Sequence, residues 1–226
     1  MARQVRSEVT RRKLLDAAID VFGEVGYVAA GRTAIIERAG VTKGALYHHF
    51  DSMDSLVTAI IEGGFATVLN TFRGMCLPSS PALEGMIHGM FAVTEVLAVD
   101  KEARAAGHLV FALAESNELG AEVGGEWADA VTAQAARAIA EGDLREEFDP
   151  RQVAESVIAA MLGTWLLSHG GGDNVGRVTR MWETLLPAIV VEESLPYFQQ
   201  FLARDALRYQ AGRGPNDGAD GSAAEH

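Results

Sequence analysis

Apolar side chains recur every three or four residues along most of this chain, which is the spacing of one buried face on an α-helix. The first such segment covers residues 10–25, and Gly26 follows its end. Ser7 or Thr10 is suited to cap its start. A longer segment over residues 51–73 has the same periodicity and contains no proline. The pattern predicts an all-α protein.

The remaining periodic segments predict six further helices after a loop that contains Pro78 and Pro81. They cover residues 82–99, 102–114, 122–141, 150–169, 175–191 and 193–209. Residues 211–226 are rich in Gly and Asp and show no apolar periodicity, so we expect a disordered tail there.

Residues 32–50 read as two short helices separated by Gly40, whose missing side chain suits the tight turn of a helix-turn-helix. The apolar residues that pack these two helices are predicted to be Ile35, Ile36, Ala39, Val41, Leu46 and Phe50. The open face of the second helix is then formed by Thr42, Lys43, Gly44, Tyr47 and His48. Small donors, a cation and a phenol suit phosphate oxygens and base edges, so this face is predicted to contact double-stranded DNA.

The distribution of charge decides which part of the chain can face DNA. The net charge is −12, yet residues 1–50 carry eight basic and five acidic residues, whereas the remainder carries 11 basic and 26 acidic ones. Arg11 and Arg12 lie near the predicted start of the first helix, where the helix dipole disfavours cations, and we therefore assign them to phosphate contacts. The acidic remainder is repelled by DNA.

Other classes of protein find little support in the sequence. Cys76 is the single cysteine, so an internal disulfide is excluded, as expected in a reducing cytoplasm. The basic N-terminus is not followed by an uninterrupted apolar run, and we expect no signal peptide, spanning helix or membrane partner. The six histidines lack the spacing of metal ligands, and the glycines at 170–172 lack a following Lys-Ser/Thr. We therefore expect a cytoplasmic protein without a catalytic site, a metal or another cofactor.

The segment GVTKGALYHHFDSMDSL, residues 40–56, resembles the recognition-helix signature of the TetR family of transcriptional regulators. The resemblance implies that Thr42, Lys43, Gly44, Tyr47 and His48 contact DNA, together with Arg32 and Thr33 at the start of the preceding helix. Family members often carry Ser or Thr just before that helix, whereas Ala30 and Gly31 stand there in this chain. Its N-terminal cap is therefore expected to be weak.

A narrower resemblance, to the γ-butyrolactone autoregulator receptors of that family, extends over most of the chain. It is carried by the opening MARQVRSE, by Arg104-Ala105, by Trp127 and by GDLREEFDPRQVAESVIAAMLGT, residues 142–164. The resemblance implies that Trp127 closes over a bound signal and that Thr164 forms a hydrogen bond to it. A glutamine common on the fourth helix is Gly64 here, and the space so vacated is expected to admit a butenolide, a furan or a larger signal.

Methionines at helical spacing favour an adaptable apolar pocket, although the same pattern is also typical of plain core. Met86 and Met90 lie one turn apart, and Met161 and Thr164 lie three residues apart on a later helix. The ligand-binding residues are predicted to be Ile61, Phe65, Val68, Met86, Met90, Leu109, Trp127, Met161 and Thr164.

These patterns together predict a ligand-responsive repressor with three parts. Residues 1–50 form a three-helix DNA-binding domain, residues 51–210 a larger helical domain for ligand binding and dimerisation, and residues 211–226 the tail. A symmetric homodimer on a palindromic operator is expected because one short recognition helix reads too few base pairs. The resemblance implies that the two chains join through the last long helices, 150–169 and 175–191, whose apolar stripes contain Val157, Ala160, Leu167, Met181, Leu185 and Ile189. A repressor of an efflux or catabolic operon that senses another hydrophobic molecule is the alternative.

Overall fold

The computed structural model describes residues 2–113, 118–168 and 172–212, and ten α-helices account for the regular structure of these ranges. The predicted all-α fold is therefore confirmed. The helices are α1 (Ala2–Val25), α2 (Arg32–Ala39), α3 (Lys43–His49), α4 (Met53–Met75), α5 (Ala82–Val99), α6 (Lys101–Ala112), α7 (Glu118–Ala140), α8 (Pro150–Leu166), α9 (Asn174–Ile189) and α10 (Leu195–Gly212).

The first helix begins eight residues earlier than its apolar pattern predicts. Thr10 does not cap it; the Thr10 hydroxyl donates to the carbonyl of Arg6 at 2.9 Å inside the helix. Arg11 and Arg12 consequently lie in the helix interior, and the dipole argument for their role does not hold. The predicted end is correct, since Gly26 adopts φ +78° and donates to the carbonyl of Phe22 at 3.0 Å.

The other predicted helices are present with boundaries shifted by up to four residues. The largest shift is in α7, which starts at Glu118 rather than at residue 122. Ala114 and His169, the last residues of two predicted helices, lie outside the described residues. The first two residues of the predicted tail belong to α10, and residues 213–226 lie outside the described part of the chain.

Packing divides the chain into two compact units. Among the described residues, unit 1 comprises 2–70, 96–113 and 118–127, and unit 2 comprises 71–95, 128–168 and 172–212. This division follows contacts between Cα atoms, whereas the boundary after residue 50 was drawn by function. The functional boundary stays a prediction.

The core of unit 1 is built from the inner faces of α1, α2, α3 and the first part of α4. Ile35, Leu46 and Phe50 are buried in it, and Ile36, Ala39 and Val41 pack against it, as the sequence predicts. The buried residues of α1 that complete this core are Leu14, Leu15, Ala17, Ala18, Ile19, Val21 and Phe22. The helix-turn-helix therefore shares one core with α1.

Two glycines of α4 allow α6 to approach it closely within unit 1. A Cβ atom on Gly64 would lie 2.4 Å from the Cβ of Ala106 and 2.6 Å from the carbonyl oxygen of Glu102. On Gly63 it would lie 2.5 Å from a carboxylate oxygen of Glu102. The expectation of vacated space at Gly64 is wrong, because α6 fills the volume that a side chain would need.

The interior of unit 2 contains a paired histidine and a packed thiol. The Nδ1 atom of His88 lies 2.9 Å from a carboxylate oxygen of the buried Asp205, so His88 is a satisfied core histidine. Tyr209 stacks on Phe91 at 5.3 Å, and burial raises the pKa of its phenol to about 12. Burial also raises the pKa of the Cys76 thiol to about 11, and at neutral pH the free thiol is therefore protonated.

Helices α4 and α5 are long and apolar enough, by length and composition, to cross a membrane. The sequence was expected to contain no spanning helix. About half of each apolar window is buried inside the protein, 44% in α4 and 56% in α5, and core helices of soluble proteins pass the same test. Their apolar residues, such as Ile60 and Met86, are used in packing.

The contact between α4 and α6 can be tested with two alanine substitutions in one helix. Gly74 is exposed on α4 and has open space around it, so Gly74→Ala is expected to raise the free energy of unfolding by about 0.5–1 kcal/mol through helix propensity. Gly64→Ala is expected to lower it by about 1–3 kcal/mol, because the new methyl group overlaps Ala106. Urea denaturation measures both changes. Equal effects of the two substitutions would contradict the close contact.

Candidate nucleic-acid interface

The turn between α2 and α3 depends on a left-handed residue. Gly40 adopts φ +63°, a conformation that a residue with a Cβ atom rarely takes, and its N–H donates to the carbonyl of Glu37 at 3.2 Å. Two residues later, the Thr42 side-chain oxygen accepts a hydrogen bond from the N–H of Ala45 at 3.2 Å and caps α3. Both ends of the turn are therefore held by local bonds.

Burial on one side of α3 leaves the predicted DNA-reading side open. Leu46 and Phe50 are buried. The exposed residues of this segment include every one that the sequence assigns to the open face, namely Thr42, Lys43, Gly44, Tyr47 and His48. Their exposure meets the first requirement for DNA contact, and the contact itself stays a prediction.

Two cations flank Tyr47. The Arg32 guanidinium lies 5.8 Å from the centre of the Tyr47 ring, and the Lys43 ammonium lies 5.9 Å from it. Arg32 also donates to the Tyr47 hydroxyl at 3.4 Å, which leaves the hydroxyl proton available to an acceptor such as phosphate. Within the described residues neither cation pairs with a carboxylate, so both charges are available to DNA.

A third cation, Arg11, lies beside the end of the same helix. Its guanidinium is 5.4 Å from the centre of the Phe50 ring. Arg11, Arg32 and Lys43 thus each contact an aromatic side chain of the segment 47–50. We call the surface formed by Arg11, Arg32, Lys43 and Tyr47 the basic face.

Arg12 and Arg38 are basic residues that carboxylates already neutralise. The guanidinium of Arg12 donates to Glu102 at 2.6 Å and lies 3.1 Å from Asp16. Its pKa is raised mainly by the bond to Glu102. Arg38 pairs with Glu24 at 2.7 Å. The predicted phosphate contact of Arg12 is untested, and phosphate would have to displace a carboxylate.

The remaining predicted positions are less constrained. Thr33 is exposed on α2, and Gly31 at the start of that helix provides no side-chain cap, which confirms the expected weak cap. The rings of His48 and His49 meet edge to face at 5.1 Å. Burial, followed by the charges of His48 and Arg11, lowers the pKa of His49, so His49 is neutral at pH 7.

Comparison with known proteins identifies the family. Residues 14–60 match the sequence profile of the bacterial regulatory proteins of the tetR family. The A-factor receptor protein of Streptomyces griseus is 34% identical over 193 residues, which cover 84% of this chain and 67% of that receptor. The chain belongs to the TetR family. It is therefore a DNA-binding transcriptional regulator, and the predicted resemblance is confirmed.

Solved structures support the same placement for this TetR-family regulator. A γ-butyrolactone receptor described as an ArpA-like protein has a TM-score of 0.78 and 26% identity, with 90% of this chain and 99% of that chain covered. CprB from Streptomyces coelicolor, in complex with its biological operator sequence, has a TM-score of 0.73 and 26% identity over the same shares. Most of this chain therefore follows the fold of these regulators.

The predicted ligand-binding residues of the regulator are divided between the two units. In unit 1, Ile61 and Leu109 belong to the core described above, and Phe65 packs against it. Val68 is buried and Trp127 is half-buried. Unit 1 therefore brings Ile61, Phe65 and Leu109 together.

In unit 2, a threonine that the sequence did not single out, Thr94, connects Met90 with Met161. Met86, Met90 and Met161 are buried. The Thr94 hydroxyl donates to the carbonyl of Met90 at 2.8 Å and lies 3.9 Å from the Met161 sulfur. Thr94 follows Met86 and Met90 at intervals of four residues, and this spacing was the available signal. The Thr164 hydroxyl donates to the carbonyl of Ala160 at 2.6 Å.

A cavity of about 380 Å³ lies in unit 1 between α1, α4 and α6. Its lining residues are Glu8, Arg11, Arg12, Leu15, Ala59, Glu62, Gly63 and Glu102. Five of these eight side chains are charged. The cavity, which we call the charged groove, therefore differs in chemistry from the apolar pocket that the sequence predicts.

The basic face can be tested with two substitutions. One removes a positive charge from this face, and the other removes the positive charge of Arg38, which lies outside it and is paired with Glu24. Lys43→Gln is expected to weaken binding to all DNA sequences and to reduce the slope of log K against log salt by about one per protomer contact. Arg38→Gln removes the same charge from a residue that Glu24 neutralises, so its salt slope should match the wild type. Fluorescence anisotropy with labelled duplexes at several salt concentrations measures both. An unchanged slope for Lys43→Gln would show that this side of α3 does not face phosphate.

Proposed function

We propose that this regulator is a repressor that binds a palindromic operator as a homodimer and is released by a small amphipathic signal of the γ-butyrolactone type. The observation that carries the DNA-binding half is the exposed Tyr47, whose ring centre lies 5.8 Å from the Arg32 guanidinium and 5.9 Å from the Lys43 ammonium. The similarity to the A-factor receptor protein supports the ligand half. A butenolide or a furan with the same amphipathic character is also compatible.

Each exposed residue of the recognition segment has a proposed task on the duplex. Lys43, Arg32 and Arg11 bind phosphate oxygens, because cations release condensed counterions there. Tyr47 and His48 fix the register of α3 through their hydroxyl and ring nitrogens. The remaining assigned positions, Thr42, Gly44 and Thr33, lie where a hydroxyl or bare backbone can approach the DNA closely.

The proposed dimer interface keeps only part of the set expected from the resemblance, which included the exposed Leu167. Val157, Met181 and Ile189 are buried within their own chain, so these three residues cannot form an interface. The exposed apolar residues at the C-terminal end of α8 are Leu162, Leu166 and Leu167, which are 40%, 45% and 71% exposed. Leu162 and Leu166 are one helical turn apart and form a stripe that a second copy can cover.

Charged substitutions in this stripe test the dimer. Leu162→Glu combined with Leu166→Glu is expected to convert the protein from a dimer to a monomer at micromolar concentration, because two carboxylates would have to be desolvated on each side of the interface. Operator affinity should fall at least about tenfold with it. Leu207→Glu on α10 is the control, since Leu207 is 65% exposed and lies outside the stripe. Sedimentation velocity distinguishes the outcomes, and a monomeric wild type would remove the dimer from the proposal.

The proposed signal binds through an apolar tail and a polar head. An alkyl tail gains about 0.8 kcal/mol per buried methylene among residues such as Met86, Met90 and Met161. The Thr164 hydroxyl, whose proton is directed to Ala160, has lone pairs free to accept from a polar head. The other assigned positions, Trp127, Ile61, Phe65, Val68 and Leu109, belong to unit 1, and their contribution to ligand binding stays a prediction.

Release follows from a difference in ligand affinity between two conformations. Occupancy of the pocket is proposed to displace α4, so that the recognition helices of the dimer no longer match successive major grooves. A ligand that binds the displaced conformation a few kcal/mol more tightly is sufficient for this shift. The signal therefore acts as an inducer.

The ligand half can be tested on the protein bound to a labelled duplex from its own promoter. Titration with alkyl γ-butyrolactones, butenolides and furans is expected to release the DNA with at least one of these classes. Trp127→Ala should raise the ligand concentration needed for release about tenfold, through the loss of roughly 1.4 kcal/mol of contact. The control is Trp165→Phe, which changes a tryptophan of α8 that is not among the assigned ligand-binding residues. Release by unrelated hydrophobic compounds alone would favour the efflux or catabolic alternative. Unchanged release by Trp127→Ala would remove that residue from the pocket.

A further inference from the structure

Five charged side chains of alternating sign connect α1 to the start of α6 in unit 1. Glu102 accepts from Arg12 at 2.6 Å, and Arg12 lies 3.1 Å from Asp16. Lys101 then lies 3.6 Å from Asp16 and 3.2 Å from Asp20. The residues of α1 are spaced four apart, so they form one stripe along the helix. We call these five residues the α1–α6 clip.

Glu102 is the least exposed member of the clip. Its side chain is 14% exposed, whereas the Arg12 side chain is 54% exposed. A carboxylate oxygen of Asp100 accepts from the N–H groups of Glu102 and Ala103, each at 2.9 Å, and so caps the start of α6. The Glu102 carboxylate therefore holds the more exposed Arg12 guanidinium at the start of α6.

The close approach of α4 and α6 places this carboxylate. A Cβ atom on Gly63 would meet a carboxylate oxygen of Glu102 at 2.5 Å, and one on Gly64 would meet the Glu102 carbonyl oxygen at 2.6 Å. A side chain at position 64 would push the start of α6 away from α4, whereas one at position 63 would displace only the end of the Glu102 side chain. Gly64 thus sets the distance between the two helices, and Gly63 leaves room for the carboxylate that reaches Arg12.

We propose that Glu102 is a positioning residue for operator binding that acts through Arg12. The pair fixes α1, and α1 shares its core with the helix-turn-helix through Leu46 and Phe50. In this assignment the guanidinium of Arg12 bonds to Glu102 of α6 and does not bind phosphate. The inference rests on the proposed reading of the operator by α3.

A positioning role affects specific and non-specific binding differently. Specific binding requires both recognition helices of a dimer to enter successive grooves in register, whereas non-specific binding needs only cations near phosphate. Loss of the pair should therefore weaken specific binding and leave non-specific binding and its salt slope unchanged. A phosphate anchor would alter both kinds of binding together.

The test compares two substitutions, each of which removes one carboxylate charge from the charged groove. Glu102→Gln removes the partner of Arg12. Glu62→Gln is the matched control. Glu62 lines the same groove and is exposed, but Arg12 pairs with Glu102 and Asp16 rather than with Glu62. The probes are a duplex selected from a random pool by the wild-type protein and a scrambled duplex of the same length. Anisotropy at several salt concentrations gives affinities and slopes.

Glu102→Gln is expected to weaken binding to the selected duplex about tenfold without changing the scrambled duplex or either slope, and Glu62→Gln should match the wild type. Arg12→Gln should reproduce the loss, and the double variant should lose no more than the larger single effect, since both changes break one interaction. If Glu102→Gln fails to fold, Arg12→Lys replaces it: the charge is retained, and a tenfold loss on the selected duplex alone is again expected.

Three results would overturn the assignment. Tighter binding of Glu102→Gln to both duplexes with steeper slopes would show that Glu102 shields a phosphate anchor. Equal behaviour of the Glu102→Gln and Glu62→Gln proteins, or an unaffected Arg12→Lys protein, would show that the pair does not position α1. Failure of the wild-type protein to select any duplex would overturn the proposed function and this inference with it. That failure can be distinguished from failure of the inference alone, because it appears before any substitution is made.

Discussion

The DNA-reading helix depends on the burial of two of its side chains. A helix of seven residues such as α3 is not stable alone in water, because the cost of nucleation exceeds what so few hydrogen bonds return. Leu46 and Phe50 supply the missing stabilisation by entering the core formed with α1, at roughly 1.5–3 kcal/mol for each fully buried side chain. The same burial turns Tyr47 outward. The orientation of the basic face is therefore a property of the hydrophobic core.

Charge is used in two ways within the first fifty residues. Arg12 and Arg38 pair with carboxylates of Glu102 and Glu24, and these pairs hold helices together. Arg32 and Lys43 instead lie over the ring of Tyr47, where their charge stays available to DNA. The number of basic residues in a segment is therefore larger than the number that can bind phosphate, because the count includes cations that already pair with carboxylates in the fold.

The sequence predicted features that depend on local pattern and missed those that depend on distant partners. The buried and exposed sides of α3 followed from periodicity, and the turn at Gly40 followed from its lack of a side chain. The space expected at Gly64 was absent because α6, which lies some forty residues further along the chain, closes on α4. The partner of Arg12 is ninety residues away. Periodicity also marked Val157 as apolar without distinguishing a face buried in its own chain from one that meets a second copy.

The small number of available cations is compatible with the proposed release of the operator by a modest ligand-induced change. Three of the assigned cations, Arg11, Arg32 and Lys43, are without a carboxylate partner among the described residues. In the proposed dimer these cations would make about six phosphate contacts, which would limit the salt slope from them to roughly −5. The rest of the chain carries 26 acidic and 11 basic residues and opposes non-specific adhesion. Affinity for the operator then depends on the register of α3, and a few kcal/mol that disturb this register are sufficient for release.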